Sequence, residues 1–169
     1  AQAAVVVYYP LLLIAKFDIS QALVQRSFSS LGLGYLIGAI AVGFLPHRYT
    51  TDVLMTMSAS IGIAGVWLCV VSPNLLSASL GGLLFGLWNG SMISLLLDRI
   101  NQSSEAQHAR VTWSRFSIIL SLGFTISISC LSPISNNNVV MIVWIGLWLT
   151  FIHLSCQAMS RYLFSLRTP

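Results

Sequence analysis

The sequence predicts an all-α membrane protein of six transmembrane helices. Two stretches, Val53–Leu97 and Phe116–Ser160, contain no Asp, Glu, Lys or Arg. Each is broken near its middle by a Ser-Pro turn: Ser72-Pro73-Asn74 in the first, and Ser132-Pro133 followed by Asn136-Asn137-Asn138 in the second. A bilayer-spanning helix needs roughly 20 apolar residues, so each stretch holds two spans and a tight reversal. The chain as a whole is 56% hydrophobic and 7% charged, with a mean hydropathy of +0.85. A soluble domain carries about 25% charged residues, and this chain has too few to build a water-facing surface.

The elements follow from the charge gaps. Ala3–Ala15 forms a first, short apolar helix ending at Lys16, whose ammonium snorkels if the helix continues. A start without an initiator Met suggests a processed or excised fragment. A second helix runs from about Gln21 to Leu45, with Asp18 or Ser20 as its N-cap. The third and fourth are about Val53–Val71 and Leu75–Leu97. A fifth starts between Ala109 and Phe116 and ends near Leu131, and a sixth covers about Val139–Ser160.

Charge distribution orients the bundle. Pro46–Asp52, Asp98–Arg115 and Arg161–Pro169 hold six of the eight Lys and Arg residues. The opposite side holds Lys16 and Arg26. The positive-inside rule then places both termini in the cytoplasm. The expected location is the inner (plasma) membrane of a bacterium. The net charge of +4 is scattered over segment ends and forms no patch for nucleic acid. Cys69, Cys130 and Cys156 show no metal-ligand spacing, and no disulfide framework is expected. Neither a metal nor a cofactor is expected. There is no GxSxG, HExxH or phosphate-binding loop, so the chain does not read as an enzyme.

Small residues set how the helices meet, because lipid supplies little hydrophobic drive between them. The second helix carries Ser30, Gly34 and Gly38 at four-residue spacing, and the fourth carries Ala78, Gly82, Gly86 and Gly90. Close helix packing is the structural reading of both stripes; smooth faces that slide or rock are the functional one.

Polar side chains inside spans mark candidate sites, since burying them is costly without a partner. Asn89, beside Trp88 and Ser91, offers a donor and an acceptor to an uncharged polar substrate; an interhelical hydrogen bond is the competing reading. His153 is the sole titratable group deep in the sixth helix and is the candidate for proton coupling, against a neutral, hydrogen-bonded imidazole. Tyr8, Tyr9 and Pro10 combine aromatic walls with a helix break of the kind that lines substrate cavities; a Tyr in the interfacial girdle is the alternative. Trp67, Trp113, Trp144 and Trp148 are expected at the lipid or the interface.

The order of motifs resembles one six-helix half of a major facilitator superfamily transporter. Phe17-Asp18-Ile19-Ser20 is similar to the segment between the family's first two helices. The run Leu31–Gly43 into Phe44-Leu45-Pro46-His47-Arg48 resembles the second helix and the start of the loop G-x-L-x-D-R-x-G-R-R. Gly43, Leu45 and Arg48 match that motif, whereas His47, Thr50, Thr51 and Asp52 depart from it. Ser72-Pro73-Asn74-Leu75 and the glycine-rich Gly81–Gly90 resemble the outer turn and fourth helix.

The resemblance implies a single bundle over residues 1–169. Its two inverted three-helix repeats would cover about 1–71 and 72–161, followed by a short cytoplasmic tail, 162–169. It also implies a central cavity lined by the first and fourth helices, where Tyr8, Tyr9, Trp88 and Asn89 would bind a small-molecule substrate. Arg48 with Asp98 would form a reduced conformational latch. Half a cavity implies a second six-helix half, in the same polypeptide or a dimer. The implied function is alternating-access transport of a small solute by a secondary carrier or facilitator. The alternative is a non-transporting membrane scaffold or assembly subunit.

Overall fold

A computed structural model describes residues 2–44, 49–103, 106–135 and 138–165. Six helices follow in order: α1 (Gln2–Phe17), α2 (Gln21–Phe44), α3 (Thr51–Val71), α4 (Leu75–Ser103), α5 (Ala106–Ser135) and α6 (Val139–Ser165). Four contain stretches long and apolar enough to cross a membrane: Gln21–Phe44, Thr51–Val71, Leu75–Gln102 and His108–Pro133. Val5–Phe17 and Val139–Ile152 are shorter apolar stretches.

Local chemistry sets the helix ends. Asp18 closes α1 in the left-handed region, at φ 48°, and donates its N–H to the Ile14 carbonyl at 3.0 Å. A short polar side chain tolerates that conformation better than most. Ser20, rather than Asp18, opens α2: its carbonyl accepts from the N–H groups of Leu23 and Val24. Thr50 caps α3 by accepting from Val53 N–H, with Asp52 in the positively polarised first turn. At the far end of α3, Ser72 donates its N–H to the Leu68 carbonyl at 3.0 Å. Pro73 blocks continuation, and Asn74 Oδ1 accepts from Ser77 N–H at 2.9 Å to start α4.

Lys16 donates to the carbonyl of Val70, in the last turn of α3. A helix C-terminus leaves such carbonyls without intrahelical donors and carries partial negative charge, so a cation there is doubly favourable. The ammonium that was expected only to snorkel ties α1 to α3.

Two boundaries differ from the sequence reading. The charged segment 98–115, expected as a long loop, is helical up to Ser103 and again from Ala106. Charge ends a membrane span but not a helix: Gln, Ala and Arg are good helix formers. Likewise α5 runs through Pro133 to Ser135, where the proline removes an N–H only from the last turn.

α4 is the hub, packed along its length between α2 and α3. α6 closes the bundle against α1 and α3. Tyr9, Leu12, Val66, Phe85, Leu95 and Val143 contribute to the buried core. By contrast, no α5 residue from Arg110 to Pro133 is fully buried.

The α2–α4 seam is made of backbone. A Cβ on Gly34 would stand 2.9 Å from the Leu83 carbonyl carbon, and one on Gly38 equally close to that of Leu87. In return, Gly86 and Gly90 of α4 lie on the backbones of Leu31 and Tyr35. Advancing four residues on either helix advances four on the other, so α2 and α4 run parallel. Against α3 the register reverses. Thr51 meets Asp98, Ser58 meets Ser91, and Gly65 meets Gly81, so those two helices are antiparallel.

Candidate functional site

The middle of α4 holds two adjacent polar side chains in an apolar interior. Trp88 is 4% exposed and Asn89 6%. The Trp88 ring lies over Gly62 of α3, where a Cβ would come within 2.7 Å of the indole Cε3, and edge-on to Phe85 at 5.2 Å. Among the described residues, Trp88 Nε1 is buried without a hydrogen-bond partner. The Asn89 amide also makes no hydrogen bond among them, but its polar atoms keep some accessible surface and are not buried as the indole N–H is. A buried donor left unpaired costs about 1–3 kcal/mol. Such groups are exceptions in native interiors and call for an explanation.

The other sequence candidates fall in different places. Tyr9 is fully buried, and its hydroxyl donates to the Ala78 carbonyl of α4 at 2.9 Å. Gly82 makes room for it: a Cβ there would stand 2.7 Å from the Tyr9 hydroxyl and 3.1 Å from Ser30 Oγ. Ser30 in turn donates to the Ser79 carbonyl at 2.8 Å. Tyr8 turns the other way, its hydroxyl 3.5 Å from the Ile128 carbonyl of α5. Asn89 follows Gly82 by two turns of α4 and so shares the helix face that Tyr9 meets. The structure therefore joins Tyr9 with Gly82, and Trp88 with Gly62, and turns Tyr8 toward α5.

At the opposite end of α4, Asp98 accepts from Thr51 Oγ1 at 3.2 Å and from Gln102 Nε2 at 2.7 Å. The neighbouring Arg99 forms an ion pair with Asp52. Arg48, the expected partner of Asp98, lies outside the described residues, as does the side chain of His153. Position 153 itself is helical, within α6. Trp67 and Trp148 are exposed; Trp144 is half-buried, meeting Trp67 edge to face at 5.6 Å. Cys69 is buried and Cys130 exposed, and both are free thiols.

Several working residues carried no signal in the sequence. Ser58 and Ser91 sit 2.5 Å apart across the α3–α4 seam, though 33 residues separate them in the chain. Gly62 and Gly65 of α3 are three residues apart and belong to no stripe of three or more small residues at four-residue spacing, yet each accepts α4 at close range. Among the described residues, no group of three His, Cys, Asp or Glu could hold a metal. No protein family, curated protein sequence or solved structure matches the chain.

Proposed function

We propose that this chain is one half of a multi-pass membrane carrier, similar to a major facilitator superfamily half, moving a small neutral or weakly polar solute by alternating access. The observation that carries the reading is Trp88 beside Asn89 in the central helix: the indole N–H is buried without a partner among the described residues, and the Asn89 amide keeps some accessible surface and makes no hydrogen bond among them. A transient solute is a natural partner for such groups, whereas a purely structural role would have supplied a permanent one.

The packing pattern lends support to an inverted repeat. Exchanging α1, α2, α3 for α4, α5, α6 turns the α2–α4 seam into α5–α1, α3–α4 into α6–α1, and α1–α2 into α4–α5. All of these pairs pack, though the counterparts of the two main seams do so far more sparsely, and α5–α6 packs where its counterpart α2–α3 barely touches. The sparse burial of α5 is consistent with a surface awaiting a second six-helix half, in the same polypeptide or a second copy. Both termini would be cytoplasmic. No carboxylate lies in the deep part of any span, so coupling to protons would rest on His153 or on the other half.

A second reading, a non-transporting scaffold, is favoured by the α2–α4 seam, where backbone packs on backbone and leaves no room for a passage. Solute-driven swelling of proteoliposomes separates the two. With a panel of neutral polyols, sugars and amides, a carrier accelerates swelling saturably for at least one solute, and Asn89→Leu abolishes it. Rates equal to those of empty vesicles throughout the panel favour the scaffold.

A further inference from the structure

α1 presents one stripe of side chains to the hub of α2, α3 and α4. Val5, Tyr9, Leu12 and Lys16 follow one another at helical spacing; the first three are fully buried and Lys16 is half-buried. Tyr9 and Lys16 each donate to a backbone carbonyl of the hub. The Tyr9 hydroxyl reaches Ala78 of α4, and the Lys16 ammonium reaches Val70 of α3. Lys16 forms no ion pair with Asp18, a carboxylate only two residues away. The Tyr9 ring also meets Phe28 of α2 at 6.4 Å. Among the described residues, every hydrogen bond and ring contact from α1 to the hub is made by Tyr9 or Lys16.

Both contacts sit toward one end of the bundle. Val70 is in the last turn of α3, and Ala78 is three residues past the start of α4. Tyr9 fits against Gly82, and Asn89 follows on the same α4 face, about 10 Å deeper. Approached from the Ser72-Pro73-Asn74 turn, the phenol therefore stands in front of Asn89, and Val5 lies one turn behind it. Neither bond leaves an orphan in the hub when it breaks. Ala78 is inside α4, so its carbonyl keeps its own helical donor. The Val70 carbonyl is at a helix end beside the turn, where water replaces the ammonium. Pro10 follows Tyr9 directly and removes the helical bond to the Val6 carbonyl, so α1 bends most easily there. α2 and α3 are seated on α4 by backbone approach at glycines, whereas α1 is held by two donors that can let go.

We infer that Tyr9 and Lys16 form a clasp that closes the route to Asn89 from the side of the α3–α4 turn, and that α1 moves off the hub when both release their carbonyls. The role of the clasp in transport rests on the reading of Asn89 as a solute site. Its opening is tested without any solute.

The test uses the full chain in proteoliposomes, in a background lacking Cys69, Cys130 and Cys156. Val5→Cys places a thiol behind Tyr9, and a membrane-impermeant maleimide is supplied from the side of the α3–α4 turn. Leu95→Cys, buried near the far end of α4 and offered the reagent from the opposite side, is the control. Val5→Cys should label slowly in the parent. Lys16→Met should accelerate it at least about tenfold, the factor that one hydrogen bond from a charged donor supplies, and Tyr9→Phe about two- to tenfold. Leu95→Cys should label at an unchanged rate in both. An unaltered Val5→Cys rate in either variant overturns the proposal, as does an equal acceleration at Leu95→Cys, the sign of general loosening. If Lys16→Met fails to insert, the near-isosteric Tyr9→Phe decides alone. Labelling as expected without solute movement leaves the clasp standing and removes the carrier; solute movement without the change in labelling does the reverse.

Discussion

Gly86 of α4 rests directly on the backbone of Leu31 of α2: a Cβ at that glycine would stand 3.0 Å from the Leu31 carbonyl carbon. Gly90 repeats the relationship one turn later on Tyr35, while Gly34 and Gly38 return it from α2. In lipid, where apolar side chains gain little by leaving the solvent, this approach of two backbones is what makes α4 the centre of the fold.

The seam should therefore be intolerant of a single methyl. Gly86→Ala forces backbone apart from backbone and is expected to destabilise the chain by about 1–3 kcal/mol. Gly43→Ala, with nothing within 4 Å of the new Cβ, should be neutral or stabilise by about 0.5–1 kcal/mol. Reversible unfolding in mixed micelles measures both. Equal effects at the two positions would contradict the close approach of α2 and α4.

Tyr9 tests the contact between α1 and α4. Tyr9→Phe keeps the ring and removes the donor to the Ala78 carbonyl, at an expected cost of about 0.5–1.5 kcal/mol. Widening Gly82 to Ala crowds the same hydroxyl. The two losses should be less than additive, since Phe vacates the space that the methyl needs.

The Asp52–Arg99 pair joins the start of α3 to the end of α4, with both side chains about half exposed. A double-mutant cycle of Asp52→Asn with Arg99→Gln should give a coupling of about 0.2–1 kcal/mol that shrinks with added salt. A coupling that salt leaves unchanged would show that the pair is shielded from solvent.

Orientation is checked by cysteine labelling in a background lacking Cys69, Cys130 and Cys156. Asn74→Cys sits at the α3–α4 turn and Gln102→Cys near the end of α4, both exposed. A membrane-impermeant maleimide should label position 74 in intact cells and position 102 only after permeabilisation. The reverse pattern would place the termini outside.

Much of this architecture is legible in the sequence for a physical reason. Lipid tolerates no charge and no unsatisfied backbone, so Ser72-Pro73-Asn74 between two charge-free runs marks a reversal wherever it occurs. The helices around 98–115 are not legible that way, because Asp98 and Arg99 mark where the charge-free run ends rather than where α4 ends. Gly34, Gly38, Gly86 and Gly90 stand out through their spacing. Gly62, Gly65 and Ser58 do not, because their partners Trp88, Gly81 and Ser91 are brought to them only by the antiparallel register of α3 and α4. Which polar side chains find partners is a tertiary property. Tyr9 and Asn89 look alike as candidates in the sequence, yet one is satisfied by the Ala78 carbonyl and the other is not.

The central claim is that Asn89 is held without a partner for the sake of a solute. Asn89→Leu, of similar volume, measures it directly through unfolding stability and solute-driven swelling of the same preparation. The account predicts a chain at least as stable as the parent that no longer moves solute. A variant that is less stable than the parent, with swelling unchanged, would show Asn89 to be a structural residue and contradict the claim.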